Sequence, residues 1–250
     1  MTRYWPLLCV LATDLAFSQT PPAAQSPQPP PSPWDKSEIN IGAVVNTGNT
    51  NTSTYTGTLR LRYTTSLWKN TGVVNAWYGR SNGVVDRERY FIQDQLRRTL
   101  AKNNKRYLFT MSNFNLDHFT PYDRQFLLAS GYGFVLLQRD NNSIQFQLGP
   151  GYRHDRVANT RQLEDQLTLL TKTTLEWIIK EDLALSQSIQ YDIGTRYQYG
   201  KAISGLTFKV NGHMNIKLSF MLEYFSSIPA GSSNTQKVDT ITNVSIGYAF

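Results

Sequence analysis

The three histidines, His118, His154 and His213, are the side chains of this sequence best suited to general acid–base chemistry. A hydrolytic site of the Ser–His–acid type needs a serine within hydrogen-bond reach of a histidine, and a third group that orients the ring. No serine lies two residues from any of the three, and Thr120 after His118 is the nearest hydroxyl at that spacing. The pattern therefore indicates solvated histidines of turns and loops rather than a hydrolytic site.

Charged residues could also bind metal, bind phosphate or hydrolyse glycosides. His154 and Asp155 are adjacent, and neighbours on a strand point to opposite faces, so the pair does not readily share one ion. The run Gly200-Lys201-Ala202 after Gly194 departs from a phosphate-binding loop in spacing and in the residue after lysine. Paired carboxylates could hydrolyse glycosides, but a sequence does not give their separation. We expect neither a metal nor a cofactor.

Alternating polarity describes the elements that hold these residues. From Ile39 onward, stretches of roughly 10–14 residues alternate with a period of two, which predicts extended strands. The clearest, Gln162–Ile179, places Leu167, Leu169 and Trp177 on one face and Gln166, Thr168, Lys172 and Glu176 on the other. Periodicity alone does not say whether the apolar face points inward, as in a soluble sandwich, or outward, as in a membrane barrel.

Strand length and the alternation of connections favour the membrane barrel. A spanning strand needs about 9–11 residues, whereas a soluble strand averages about 5–6. We predict short turns at Ser66–Asn70, Ala101–Lys105, Gln138–Asn142, Lys180–Asp182 and Asn211–His213. We predict mostly longer, more charged or Gly-rich loops at Arg80–Arg87, Asp117–Asp123, Asp155–Arg161, Thr195–Lys201 and Ser226–Lys237.

Composition is compatible with such a barrel and excludes other classes. Aromatic residues make up 12% of the chain, which suits rings placed at two membrane interfaces. Beyond the first twenty residues no run is apolar enough for a spanning helix. The net charge is +7, but the basic residues are scattered and form no nucleic-acid-binding motif. Anionic partners such as lipopolysaccharide remain compatible with that charge.

The amino-terminal region has the composition of an exported protein. Residues 1–18 resemble a signal peptide, with Arg3 before a short apolar stretch and Ala16 and Ser18 before a cut at Gln19. Residues 19–37 are rich in Pro, Gln, Ala and Ser, and we expect a disordered periplasmic tether. Cys9, the only cysteine, lies in the signal peptide, so the mature chain would have no disulfide.

The last strand alternates up to the final residue, Phe250. An aromatic carboxyl terminus of this kind resembles the signal that the barrel-assembly machinery of outer membranes recognises. Lipid offers no partner for an open strand edge, so the strand near Ile39–Asn46 should pair with Val238–Phe250. We therefore predict an all-β, transmembrane antiparallel barrel of about twelve strands over residues 38–250, in the outer membrane of a Gram-negative bacterium.

Three short motifs resemble one known family. They are Thr47-Gly48-Asn49-Thr50-Asn51-Thr52, Gly149-Pro150-Gly151-Tyr152-Arg153, and Ile228-Pro229 with Gly231 followed by the terminal Tyr248-Ala249-Phe250. The chain is similar over residues 38–250 to the salt-induced outer-membrane proteins that share domain of unknown function 481. The resemblance implies the same fold and location, and it implies no activity or catalytic residue.

Three functions fit this barrel. One is a narrow, porin-like channel for small solutes or ions, mildly selective for anions; another is a structural or envelope-stress barrel with a filled lumen. The alternative is a lipid- or lipopolysaccharide-modifying enzyme at the outer rim, where His118 and His154 would lie. We favour a non-enzymatic barrel whose partners are outer-membrane lipids, lipopolysaccharide and the assembly machinery. We expect a charged network in the lumen, formed by Arg60, Arg62, Arg97, Arg153, Glu164, Lys172, Glu176, Asp192, Lys209, Lys217 and Glu223.

Overall fold

Long antiparallel strands make up almost all of the chain that the computed structural model describes, namely Trp34 and residues 37–46, 52–100, 105–229 and 236–250. Within these residues there are twelve strands: β1 Glu38–Asn46, β2 Thr52–Thr64, β3 Trp68–Ser81, β4 Val84–Thr99, β5 Arg106–Asp117, β6 Tyr122–Gln138, β7 Asn142–Val157, β8 Leu163–Lys180, β9 Leu183–Gly194, β10 Gln198–Lys209, β11 Met214–Phe225 and β12 Val238–Ala249. The part of the chain described contains no helix long and apolar enough to cross a membrane.

The strands form one closed barrel in which each strand pairs with its neighbours in sequence. Closure is made by β1 and β12, where Ile39 lies opposite Tyr248 and Ile41 opposite Ile246. The predicted pairing of the first and last strands is therefore confirmed. It removes both free edges, so no row of backbone N–H and C=O groups is left without partners.

The outer face of the barrel is apolar. Outward side chains such as Leu167, Ile189 and Leu218 are exposed, and each is flanked in sequence by polar residues that point inward. Soluble monomers rarely expose contiguous apolar patches larger than a few hundred Å². An apolar belt around the whole circumference is instead what a transmembrane barrel presents to lipid. The predicted transmembrane barrel of about twelve strands is confirmed.

The connections at one end of the barrel agree with the prediction, and those at the other end differ from it. We call the end that holds Glu38 and Ala249 the terminal end, and the opposite end the loop end. The terminal end carries five short connections, at residues 65–67, 100–105, 139–141, 181–182 and 210–213, where the sequence predicts them. Residues 101–104 lie outside the described part of the chain.

Most loop-end connections are shorter than predicted, because the strands continue into the predicted loops. The interval Arg80–Arg87 contains only a two-residue hairpin turn, Asn82-Gly83, with φ of 48° and 82°. The other described connections at this end are residues 118–121, 158–162 and 195–197, and 226–237 is the long one. The charged residues near these strand ends suggest loops, but the period of two continues through them and correctly indicates strand.

The predicted signal peptide and tether lie outside the described residues, apart from Trp34 and Ser37. The Trp34 ring packs edge-on against Tyr63 of β2, with 5.0 Å between ring centroids. Ser37 is buried, its hydroxyl accepts a 3.0 Å hydrogen bond from the Arg62 N–H, and its carbonyl accepts one of 2.9 Å from the Phe250 N–H. These contacts hold Trp34 and Ser37 against the barrel wall.

Candidate functional site: the barrel lumen

Inward-pointing side chains enclose a cavity of about 600 Å³, which occupies the middle of the lumen and its terminal half. Because successive residues of a strand point to opposite faces, the residues between the outward Leu and Ile side chains point into the lumen, and they are mostly Thr, Asn, Gln, Lys and Arg. Among the described residues the cavity wall holds ten cationic side chains, Arg60, Arg62, Lys69, Arg97, Arg153, Lys172, Lys180, Lys201, Lys209 and Lys217. It holds three carboxylates, Glu38, Glu176 and Glu181. Arg153 and Lys201 are paired with carboxylates outside the cavity wall, and the other eight cations still outnumber the three carboxylates, so the cavity is electropositive.

Eight of the eleven residues predicted for a lumen network line this cavity: Arg60, Arg62, Arg97, Arg153, Lys172, Glu176, Lys209 and Lys217. The other three, Glu164, Asp192 and Glu223, bond to inward groups nearer the loop end. The structure does not join the eleven into one network. It divides them between a densely paired loop half and a sparsely paired terminal half.

Glu223 on β11 is the centre of the first buried cluster. Arg89 on β4 donates two hydrogen bonds to its carboxylate, Nη1 to Oε2 at 2.6 Å and Nη2 to Oε1 at 2.7 Å. The Tyr199 hydroxyl donates to Oε1 at 2.6 Å, and Lys201 Nζ lies 3.3 Å from the same oxygen. Arg89 is 1% exposed and Glu223 2% exposed, so this bidentate pair is removed from water.

Arg153 on β7 is the centre of a second buried cluster of ion pairs. Its Nε donates to Asp155 Oδ2 at 3.1 Å and its Nη1 to Asp192 Oδ2 at 2.8 Å, and both carboxylates are fully buried. The Arg153 guanidinium also lies over the Tyr199 ring, 4.6 Å from its centroid. Tyr197, in the β9–β10 connection, donates its hydroxyl to Asp155. Burial raises the pKa of the Tyr197 phenol well above its usual value, which keeps this donor protonated.

An aromatic cluster fills the space around these ion pairs. Tyr122, Val157, Tyr197, Tyr199 and Phe225 are each no more than 6% exposed and pack together. The rings of Tyr122 and Tyr197 stack with 4.9 Å between centroids, and the Tyr122 hydroxyl donates to Glu164 Oε2 at 3.1 Å. Side chains from β4 to β11 thus occupy the loop half of the lumen, whereas the terminal half contains the cavity.

A second apolar cluster thickens one wall of the barrel beside the cavity. Tyr107, Phe109, Met111, Leu127, Ala129 and Leu170 are buried together. The Tyr107 ring lies flat against Gly133 of β6, where any Cβ would overlap it. The Arg97 guanidinium lies over the same ring, 4.7 Å from its centroid, and its Nη1 donates to Gln145 Oε1 at 2.5 Å. Gly133 therefore helps to position Arg97 at the cavity wall.

The Gly149-Pro150-Gly151 motif has a structural role. A Cβ at Gly149 would overlap the backbone of Ser130 and Gly131 on β6, and one at Gly131 would overlap Leu148 and Gly149. The two strands come this close only because both positions lack a side chain. The motif therefore shapes the wall and supplies no chemical group to the lumen.

In the terminal half the ion pairs are fewer and weaker. Arg60 Nε donates to Glu38 Oε1 at 3.1 Å, and Lys217 Nζ lies 3.6 Å from the same oxygen. Arg62 Nη2 lies 3.7 Å from Glu176 Oε1, and the Glu176 side chain is 55% exposed. Three cations here share two carboxylates, in contrast to the bidentate pairing of the loop half.

The histidines lie apart from the cavity. His118 Nδ1 is 3.4 Å from Glu88 Oε2, and His213 Nδ1 is 3.1 Å from the Ala249 carbonyl oxygen. His154 lies within β7, contrary to the predicted loop, and its Nδ1 is 2.6 Å from Asp165 Oδ1. Within the described residues no histidine has a serine hydroxyl as hydrogen-bond partner, and no group of three His, Cys, Asp or Glu could hold a metal ion.

Sequence reasoning missed Arg89, Asp155 and Lys201, three of the best-paired residues of the lumen. The predicted loops Thr195–Lys201 and Asp155–Arg161 include Lys201 and Asp155, which the structure places in β10 and β7. Arg89 follows the predicted loop Arg80–Arg87 and is not among the residues predicted for the lumen. A signal was available, because Arg89, Phe91, Gln93, Gln95 and Arg97 follow one another at a period of two. Continuing the alternation from Arg97 would have placed Arg89 on the inner face.

The chain belongs to a known protein family, and its fold belongs to a known structural class. A family model described as "Protein of unknown function, DUF481" matches residues 39–250, so the chain belongs to this family, as the motifs indicate. The class is that of outer-membrane-type β-barrels. An outer membrane channel from Pseudomonas putida F1 is similar at a TM-score of 0.50 and 10% identity, covering 93% of this chain and 100% of that one.

Two further solved structures are similar at lower scores. The NanC porin has a TM-score of 0.49 at 9% identity, covering 86% of this chain and 98% of its own. The translocator domain of the autotransporter NalP from Neisseria meningitidis has a TM-score of 0.46 at 10% identity, with 86% and 87% covered. No curated protein matches the chain by sequence. At such identities the likeness concerns the barrel fold alone.

Proposed function

We propose that this protein is a narrow, non-enzymatic channel of the Gram-negative outer membrane that favours small anions. The electropositive cavity is the observation that carries the proposal: ten cations and three carboxylates line one space of about 600 Å³ among the described residues. A basic, polar lumen inside an apolar exterior attracts anions and keeps them hydrated by amide and hydroxyl groups. The family and the barrel fold are compatible with this assignment.

The paired side chains of the loop half indicate that the channel is narrow. Arg89, Arg153, Glu223 and the aromatic cluster leave no room for a wide aqueous passage between β4 and β11. Solutes the size of an oligosaccharide would not pass without displacing these groups. We therefore expect small inorganic or organic anions to be the permeant species.

The same filled half supports a second candidate, a structural or envelope-stress barrel that does not conduct. Planar-bilayer recording of the purified, detergent-solubilised protein separates the two. The channel predicts discrete, small current steps, because the loop half is constricted. A silent bilayer, obtained with protein whose circular dichroism and heat-dependent gel mobility show a folded barrel, would refute the channel and favour the filled barrel.

Location and assembly belong to the same proposal. Phe250 ends the chain directly after β12, and we propose that the assembly machinery recognises this strand. The apolar belt would then contact outer-membrane lipid, with lipopolysaccharide around the loop end. We propose no enzymatic role for the rim histidines, because each bonds to a carboxylate or carbonyl in place of a hydroxyl nucleophile.

A further inference from the structure

Lys172 on β8 is a cation of the lumen without a carboxylate partner. It lines the cavity, and its register neighbours are Gln147 on β7 and Gln190 on β9, both neutral amides. Within the described residues no carboxylate oxygen lies within 4.0 Å of its ammonium, since none of the ion pairs includes it. Arg97, Lys201 and Arg60 act on it electrostatically more strongly than the carboxylate of Asp192 does.

Arg97 on β4 is the second such cation. It lines the same cavity, stacks on Tyr107 and donates to Gln145, but it forms no ion pair within the part of the chain that is described. The contact with the ring and the hydrogen bond to the amide both hold its guanidinium at the cavity wall. The nearest carboxylate that acts on Arg97 is Glu176, which forms no ion pair with it within 4.0 Å and lies 3.7 Å from Arg62.

The nearby carboxylates are engaged by other cations. Glu223 is held by Arg89 and Lys201, and Glu38 by Arg60 and Lys217. Asp192 accepts from Arg153 and Gln190. Glu176, the remaining carboxylate near Arg97, lies 3.7 Å from Arg62, so a carboxylate could pair with Lys172 or Arg97 only by leaving another cation. Like charges held together in a confined lumen raise the free energy of the empty barrel, and an external anion would lower it.

The surroundings of the two cations suit a small oxyanion. Gln145, Gln190 and Thr174 line the cavity beside them and offer amide and hydroxyl groups. Lys69, Lys180 and Lys209 line the wall toward the terminal end, where they would attract anions into the lumen. A volume of about 600 Å³ accommodates a molecule of several carboxylate or phosphate groups.

We infer that Lys172 and Arg97 form the centre of a binding site for a multiply charged organic or inorganic oxyanion, which enters the lumen from the terminal end. The inference rests on the proposed channel, since the site lies in its lumen. Binding is nevertheless measurable in a barrel that does not conduct. Carboxylate and phosphate share the required chemistry, because both present several acceptor oxygens to an ammonium and a planar guanidinium.

Isothermal titration calorimetry on the full folded protein in a zwitterionic detergent tests the site. Citrate probes the carboxylates, inorganic pyrophosphate the phosphates, and sucrose serves as the uncharged control. We expect one anion per barrel, no heat from sucrose, and an affinity that falls about tenfold or more in Lys172→Gln or Arg97→Gln, the effect of losing one charge-assisted bond. Lys172→Arg should retain most of the affinity.

The matched control is Arg98→Gln. Arg98 is the next residue on β4, is exposed, and lies over the Trp68 ring on the outer face, so its loss removes the same charge without touching the cavity. Binding of citrate alone would support a carboxylate ligand, and binding of pyrophosphate alone a phosphate ligand. No binding of either anion by folded protein, or equal weakening by Arg98→Gln and Arg97→Gln, would overturn the inference. Neither result decides whether the protein conducts ions, because the bilayer recording tests the channel independently of anion binding.

Discussion

At the scale of single residues, the pairing of Arg89 with Glu223 decides how firmly the loop half is held. Both groups are buried, and each of the two carboxylate oxygens accepts a short bond from the guanidinium. A buried pair of this kind contributes little relative to an apolar pair of the same shape, but removing one partner leaves a charge without compensation. Glu223 also holds Tyr199 and Lys201, so its loss would release three donors.

We therefore expect Glu223→Gln to destabilise the barrel by about 3 kcal/mol, because the buried Arg89 guanidinium would lose its bidentate partner and keep only Asp117, 3.8 Å from its Nε. Glu176→Gln is the matched control, because Glu176 is more than half exposed and its nearest cation is 3.7 Å away, and it should cost about 1 kcal/mol or less. Urea unfolding in lipid vesicles measures both. Equal destabilisation by the two substitutions would contradict the different burial of the two pairs.

The sequence predicts which face of its strand a residue occupies, but not which residue it pairs with across the lumen. Alternation is enough to place Glu223, Arg153 and Lys172 on the inner side of their strands. Which cation meets Glu223 depends on a contact across the barrel, between residues 134 positions apart in the chain. No local pattern contains that information, so the sequence does not predict the division into a densely paired loop half and a sparsely paired terminal half.

At the scale of elements, the alternation of faces is the property that places polar groups inside and apolar groups in lipid. Strand identity, order and closure followed from it, together with the short turns of the terminal end. The lengths of the loop-end connections did not follow. Strands β3 and β4 continue to Asn82-Gly83 because charged residues near a rim need no loop to stay in contact with water.

Adjacent residues of β9 test the two faces. Ile189 is 50% exposed on the outer face, whereas Ser188 lines the cavity. Arginine at the lipid midplane costs about 2–4 kcal/mol, so Ile189→Arg should unfold at a clearly lower urea concentration than the unaltered barrel. Ser188→Arg should assemble and unfold almost normally, because it enters a wet lumen. The outward orientation of Ile189 would be wrong if Ile189→Arg were harmless and Ser188→Arg prevented folding.

At the scale of the whole molecule, charge is distributed unevenly between the outside and the lumen. The chain carries +7 in total, and within the described residues the cavity wall has ten cations and three carboxylates. The composition of the chain gives the sign of the charge but not its location. Because the cations converge on one cavity, their field is concentrated in the path that a solute would take.

Ion selectivity in a planar bilayer tests the central claim most directly. With the unaltered protein between KCl solutions of unequal concentration, the reversal potential should have the sign set by chloride flow. Arg97→Gln should move this potential toward zero, whereas Arg98→Gln should leave it unchanged. That result would mean that the basic lumen is the conducting path. A reversal potential of the sign set by potassium flow, from correctly folded channels, would contradict the account.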